Sequence, residues 1–238
     1  MKIRAVIFDL YNTLLKVGPP PPDADVRWSA LFREHFGSEP PLSRLDFSVA
    51  CGRVVVRHHE AARAAGIPFP EVQWPTVVAE VLPAFPKLWP ELRAEFVYRQ
   101  IQTGRTTAMS AKVAAALGTL HRAGCRLGIA SNAQAYSLRE LREGLASQRM
   151  AMDVFESALC FWSFEHGFSK PDPHVFRILT ARCEAMGIGP AEMLMVGDRL
   201  DNDLEPAQRH GWQTFQVGTT TPDTEGSDWD RLLAVVLG

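Results

Sequence analysis

A run of apolar and β-branched residues, Ile3 to Phe8, stops abruptly at the carboxylate of Asp9. Such a run reads as a central strand of a parallel sheet, covered by helices on both faces. Open α/β sheets bind ligands beyond the carboxyl ends of their strands, which makes Asp9 a candidate nucleophile or metal ligand. The competing reading is an acid that caps a turn. Residues 126–132, 157–161, 192–196 and 212–217 repeat the strand pattern. Between them, helical patterns end near Ala123-Gly124, cover residues 136–145, and run from Pro173 to Met186 before Gly187. Strands alternating with helices predict right-handed crossovers and an α/β fold, a doubly wound parallel sheet with helices on both faces.

The first and second strands are separated by a long stretch of different texture. Gly18-Pro19-Pro20-Pro21-Pro22-Asp23 can continue neither a helix nor a central strand, and it reads as a stiff connector. Beyond it, Trp28, Leu31 and Phe32 open one helical stripe, and Val49, Val54, Val55, Ala61, Ala62 and Ala65 suggest another. Prolines punctuate the segment from position 68 to 90, and its strand signal is weak. Residues 16–103 are therefore expected to form a helical insert, with Trp28, Phe32 and Trp74 in its own core. Residues 1–15 and 104–238 then make one α/β core. The segment from Thr219 to Asp230 is polar and reads as loop.

Composition removes several functions. Of 238 residues 46% are hydrophobic, ample for a packed core. A formal net charge of -2 gives no global field for nucleic acid or an anionic membrane. Cys51, Cys125, Cys160 and Cys183 lie far apart, which argues against a zinc knuckle or disulfide framework and fits a reducing cytoplasm. The adjacent His58 and His59 cannot share a helix face as metal ligands. Asp9 interrupts the N-terminal apolar run too early for a signal peptide, and no apolar stretch is long enough to span a membrane.

Four polar signals fall at or just beyond strand ends: Asp9, Ser131-Asn132, Lys170 and Asp198. In a parallel sheet these ends point the same way and meet in one crevice. A hydroxyl, an ammonium and two carboxylates gathered there make an anion site that also suits a hard cation. Mg2+ would take oxygens from Asp9 and Asp198 and keep several waters. Taken singly, each has a blander reading: Thr13 as a turn cap, Ser131 as a strand-end hydroxyl, Lys170 as a solvated loop charge.

Together these motifs resemble the haloacid dehalogenase-like hydrolase superfamily, over the whole chain apart from the insert. The first motif, D-x-D-x-T, appears as Asp9-Leu10-Tyr11-Asn12-Thr13. The second is Ser131 in Gly128-Ile129-Ala130-Ser131-Asn132, and the third is Lys170 in Lys170-Pro171-Asp172-Pro173. The fourth, G-D-x-x-x-N-D, is Gly197-Asp198-Arg199-Leu200-Asp201-Asn202-Asp203. The resemblance implies Asp9 as nucleophile of an aspartyl intermediate, with Thr13 and Ser131 bonding the transferring group. Lys170 would neutralise charge shared by Asp9 and the substrate, and Ser131, Asn132 and Lys170 would contact the substrate. Asp9, Asp198, Asp203 and the backbone carbonyl of Tyr11 would hold Mg2+, Asp203 alternatively orienting Lys170. Asp201 reads as an exposed acid and Arg199 as surface. The insert resembles the family's helical cap, where Arg27, Arg33, Arg44, Arg53 and Arg57 offer charge for a distal anion.

Tyr11 breaks the pattern. The acid it replaces protonates the leaving oxygen in the family's phosphatases, an effect typically worth about 10²–10⁴-fold. Tyrosine at this place resembles the 2-haloacid dehalogenases, with D-x-Y-G-T, whose halide leaves without a proton. Asn12 departs from that branch, as do Phe176, where it has tyrosine, and Gly197-Asp198, where it carries S-S-N-x-x-D. The expected activity is a Mg2+-dependent phosphatase acting on a small phosphorylated metabolite. The alternatives are carbon–halogen hydrolysis and a weakly catalytic binding or regulatory protein.

Overall fold

The computed structural model describes residues 2–218 and 225–238. Five strands form one parallel sheet: β1 (Ala5–Phe8), β4 (Arg126–Ser131), β5 (Cys160–Trp162), β6 (Met193–Gly197) and β7 (Gln213–Gln216), ordered β5-β4-β1-β6-β7. The first strand is thus central, in register with Arg126–Ile129 on one side and Met193–Val196 on the other. All four of its residues are buried, as a strand covered on both faces requires. One face packs under α5 (Ala111–Arg122), α6 (Ala135–Ser147) and α10 (Glu225–Leu237), around Val6, Phe8, Leu117, Leu141 and Leu232. The other packs under α8 (Pro173–Ala185) and α9 (Glu205–Arg209), around Ile7, Phe161, Phe176 and Trp212. The sheet is doubly wound, as the alternation of strand and helix patterns predicts.

Between β1 and β4 lie α1 (Ala24–Phe36), α2 (Arg44–Ala64), α3 (Trp74–Val81) and α4 (Pro90–Gly104). They enclose a hydrophobic cluster of their own in which Trp28 touches Phe32, Phe47 and Phe96. Trp28 and Phe32 are buried there, whereas Trp74 lies at the edge, its indole donating to Gln100 Oε1 at 3.0 Å.

Several local expectations are corrected. The connector does not begin at Gly18: Lys16–Gly18 is strand β2, paired antiparallel with β3 (Thr106–Ala108), so the two chain crossings between core and insert form a ribbon. The two strands approach closely at Gly18, where a Cβ would stand 2.4 Å from Thr106 Oγ1 and would have to turn that hydroxyl aside. The third predicted strand starts late, since Ser157–Leu159 form a 3₁₀ turn. β1 starts at Ala5, although Ile3 is buried. Of the expected C-terminal loop, residues 219–224 lie outside the described residues, and from Glu225 the chain is helix α10 instead. Its apolar positions Trp229, Leu232 and Val236 recur at helical spacing against the sheet, which outweighs the polar composition of the segment. Among the described residues, no helix is long and apolar enough to cross a membrane, and all four cysteines are free.

Candidate active site

The carboxyl ends of β1, β4 and β6 deliver Asp9, Ser131 and Asp198 to one edge of the sheet. The turn after β1 closes tightly, with Asn12 N donating to Leu15 O at 2.7 Å and Asn12 in the left-handed region at φ 59°. Glycine and asparagine are the residues that tolerate this conformation, which accounts for Asn12 physically. Lys170 enters from the loop before α8, and Asp203 from a wide π-helical turn, Leu200–Leu204. Gly197 leaves room for that acid, because a Cβ on it would stand 2.5 Å from Asp203 Oδ2.

Lys170 joins the acids. Its Nζ donates to Asp9 Oδ1 at 2.7 Å and to Asp203 Oδ1 at 2.5 Å, with the ammonium fully buried. Burial by itself would lower the pKa of that ammonium, but the two carboxylates hold it above the ordinary lysine range. Burial pushes the Asp9 carboxyl up to about 6, Lys170 pulling it back and Asp203 adding to the rise. Asp198 is raised by burial and then by the charge of Asp203. One oxygen from each of Asp9, Asp198 and Asp203 lies within 4.8 Å of the others. Three acidic groups held this close, two of them pushed toward protonation, carry an unmet demand for positive charge. An all-oxygen set of this kind fits a hard dication such as Mg2+.

Thr13 and Ser131 are buried, and the hydroxyl oxygen of each has no hydrogen-bond partner. Buried hydroxyls are rarely left so, and a ligand that brings acceptor oxygens would satisfy both. The Asn132 side chain turns to the loop that carries Lys170. Its Oδ1 accepts from Lys170 N at 2.7 Å and its Nδ2 donates to Lys170 O at 2.8 Å, so the amide clamps the lysine's backbone. Asp201 is exposed and paired with Arg199, away from the acid cluster, as the bland reading had it.

The Tyr11 side chain enters a network that the sequence did not announce. Its hydroxyl lies 2.5 Å from Glu140 Oε2 and 2.6 Å from Ser137 Oγ, and Arg105 Nη2 donates to it at 2.6 Å. Arg105 also donates to Glu140 Oε2 at 2.6 Å, and its guanidinium carbon sits 4.3 Å above the Tyr11 ring. Burial, with Glu140 adding to it and Arg105 opposing it, raises the phenol far above its usual pKa. A phenol has one proton, and Tyr11 donates it to the Glu140 carboxylate, the stronger, charged acceptor of the two. A signal for this network existed in α6, where Ser137 and Glu140 share the buried stripe with Leu141 and Gly144. Arg105 gave none, because it lies in the crossing segment before β3.

The insert meets the same edge. Gln134 Nε2 donates to Glu71 Oε1 at 3.0 Å and to Val72 O at 2.7 Å, while Trp74 N donates to Gln134 Oε1 at 2.8 Å. Ser163 Oγ donates to Glu71 Oε2 at 2.6 Å, and Ser169 N to Phe69 O at 2.9 Å. The Phe69–Trp74 segment is therefore fastened to the two loops that carry Asn132 and Lys170.

Known structures share this architecture. A dehalogenase solved as an intermediate complex is 19% identical, with a TM-score of 0.55, covering 100% of this chain and 98% of its own. A HAD phosphatase from Thermococcus onnurineus is also 19% identical, with a TM-score of 0.57 and coverage of 100% and 99%. A HAD family enzyme from Bacteroides thetaiotaomicron, in complex with magnesium and inorganic phosphate, is 13% identical, with a TM-score of 0.57 and coverage of 93% and 98%. At these identities the likeness establishes the fold, which dehalogenases and phosphatases have in common. No curated protein matches the chain. The family model for haloacid dehalogenase-like hydrolases matches residues 3–211, and with that match across most of its length the chain belongs to that hydrolase family.

Proposed function

We propose that this chain is a Mg2+-dependent hydrolase of a small phosphorylated compound, with Asp9 as its nucleophile. The observation that carries the reading is the meeting of Asp9, Asp198 and Asp203 oxygens within 4.8 Å, beside the unpaired hydroxyls of Thr13 and Ser131. Lys170 holds Asp9 Oδ1, which leaves Oδ2 free to attack. An electron pair of Oδ2 forms the bond to phosphorus as the bond to the leaving oxygen breaks, and that oxygen departs with its pair. Water then attacks the phosphorus of the aspartyl-phosphate and releases phosphate and the Asp9 carboxylate. Ser131 and Thr13 donate to the phosphoryl oxygens, and Lys170 neutralises charge on Asp9. Asp9, Asp198, Asp203 and the Tyr11 carbonyl would hold the metal, which screens the repulsion between phosphate and carboxylate. In this reading residues 16–103 act as a cap that excludes water, and the four free cysteines favour a cytoplasmic setting.

Because the Tyr11 proton is committed to Glu140, the reading favours leaving groups that depart unprotonated, such as carboxylates of acyl phosphates or acidic phenols. p-Nitrophenyl phosphate or acetyl phosphate should turn over with Mg2+ at least about a hundredfold faster than an alkyl phosphate, the scale of a missing general acid. Chelation, or Asp9→Asn, should abolish turnover. The committed phenol equally suits halide departure. Release of halide from a 2-haloacid in chelator, without phosphatase activity, would favour that second reading and refute the first.

A further inference from the structure

Helix α2 of the insert is apolar on two sides. Phe47, Cys51 and Val54 are buried in the insert's own hydrophobic cluster. On the opposite side Leu45, Val49 and Val56 stand 68%, 47% and 55% exposed. With Gly52 they recur at steps of four, three and four residues, which keeps all four within about 60° of one another around the helix. A Cβ on Gly52 would meet no atom within 4 Å, so the stripe faces open space at its middle as well. Alternating steps of three and four residues form the seam along which two helices interlock.

The charges beside the stripe select what covers it. Arg44 is bound to Asp25 at 2.8 Å, and Arg57 and His58 are bound to Glu80. Asp46 accepts from the Ser43 hydroxyl at 2.6 Å and meets no cation among the described residues, and Arg53 there meets no acid. These two lie seven residues apart and therefore on the same flank of the seam. A second copy laid antiparallel, with Val49 against the partner's Gly52, also sets Leu45 against the partner's Val56. The same symmetry brings Arg53 beside the partner's Asp46, and the reverse, so each copy supplies the charge that the other lacks. Parallel seating would set Arg53 beside the partner's Ser48 and leave both charges unmet. Glu60 and Arg63 fall beyond the overlap, because α2 begins at Arg44.

We propose that this face of α2 is an interface with a second copy of the chain, the two helices packing antiparallel over about three turns. Sedimentation velocity of the full chain over a micromolar concentration series tests it. The parent should pass from monomer to dimer, since so short an overlap gives a weak, concentration-dependent pair. Val49→Asp should weaken dimerisation at least about tenfold and leave the melting temperature unchanged, because the side chain is exposed. Arg53→Asp sets an acid against the partner's Asp46 and should weaken the pair about three- to tenfold. Adding Asp46→Arg exchanges the two charges and should restore dimerisation to within about threefold of the parent. Residue 46 keeps its backbone bond to the Ser43 hydroxyl in that variant, so the start of the helix stays capped. A parent that is monomeric throughout would overturn the proposal, as would a dimer indifferent to Val49→Asp. A charge exchange that restores nothing would overturn the antiparallel seating and the proposal with it. A monomeric parent that binds phosphatidylcholine vesicles, and loses them on Val49→Asp, would overturn it in favour of a lipid surface.

Discussion

Asp9 occupies a pocket that disfavours its own charge, and the consequence is a pH-dependent cost of folding. Its carboxyl moves from an ordinary 3.8 to about 6 in the folded chain, burial being the main cause. Between those values the folded state holds more of the proton than the unfolded state does. Stability therefore falls as pH rises through this window and stays lower above it. In metal-free buffer, Asp9→Asn should be more stable than the parent by about 1–3 kcal/mol at pH 8. At pH 4, where the folded parent is already protonated, the advantage should vanish. Urea titrations at the two pH values measure it, and a gain independent of pH would contradict the account. Lys170 keeps Asp203 as its partner in the variant, so the ammonium is not stranded.

At the scale of elements, the strand–turn units are held to tight tolerances by small residues. Gly128 in β4 has no room for a side chain: a Cβ would lie 2.4 Å from Leu159 O and 2.7 Å from Ile7 Cδ1. The Leu159 oxygen is backbone and cannot rotate away. Gly128→Ala should cost about 1–3 kcal/mol by overpacking, read as a lower melting temperature. An unchanged melting temperature would show that β5 shifts freely. The strand interiors were legible because residues covered on both faces must be apolar throughout. The β2–β3 ribbon was not, since each strand has three residues and exists only through a partner far along the chain.

At the scale of the whole molecule, the insert is tied to the core at two places flanking the candidate site. One is the fastening of Phe69–Trp74 to Gln134 and Ser163, and the other is Arg105 in the returning segment. Glu140 is buried completely, and Arg105 is the cation that matches it. Arg105→Met should therefore destabilise the protein by about 3–5 kcal/mol, the cost of leaving a buried charge without its counterion. Denaturant unfolding measures this, and a loss below about 1 kcal/mol would mean that water reaches Glu140. Arg105 also stands over the Tyr11 ring, so the same side chain ties the returning segment to the turn after β1.

What the linear chain determined was the alternation of strands and helices, the interruption after the first strand, and the residues that strand ends bring to one edge. Periodicity and the abrupt change from apolar to polar are local properties, readable without knowing what faces what. Only the tertiary structure decided that the Asn132 amide clamps the Lys170 backbone. It alone decided that the Tyr11 hydroxyl is bound to Glu140 and Arg105. Those outcomes depend on which distant groups fill the second half of each hydrogen bond, and pairing across folded layers leaves no periodic trace in the sequence.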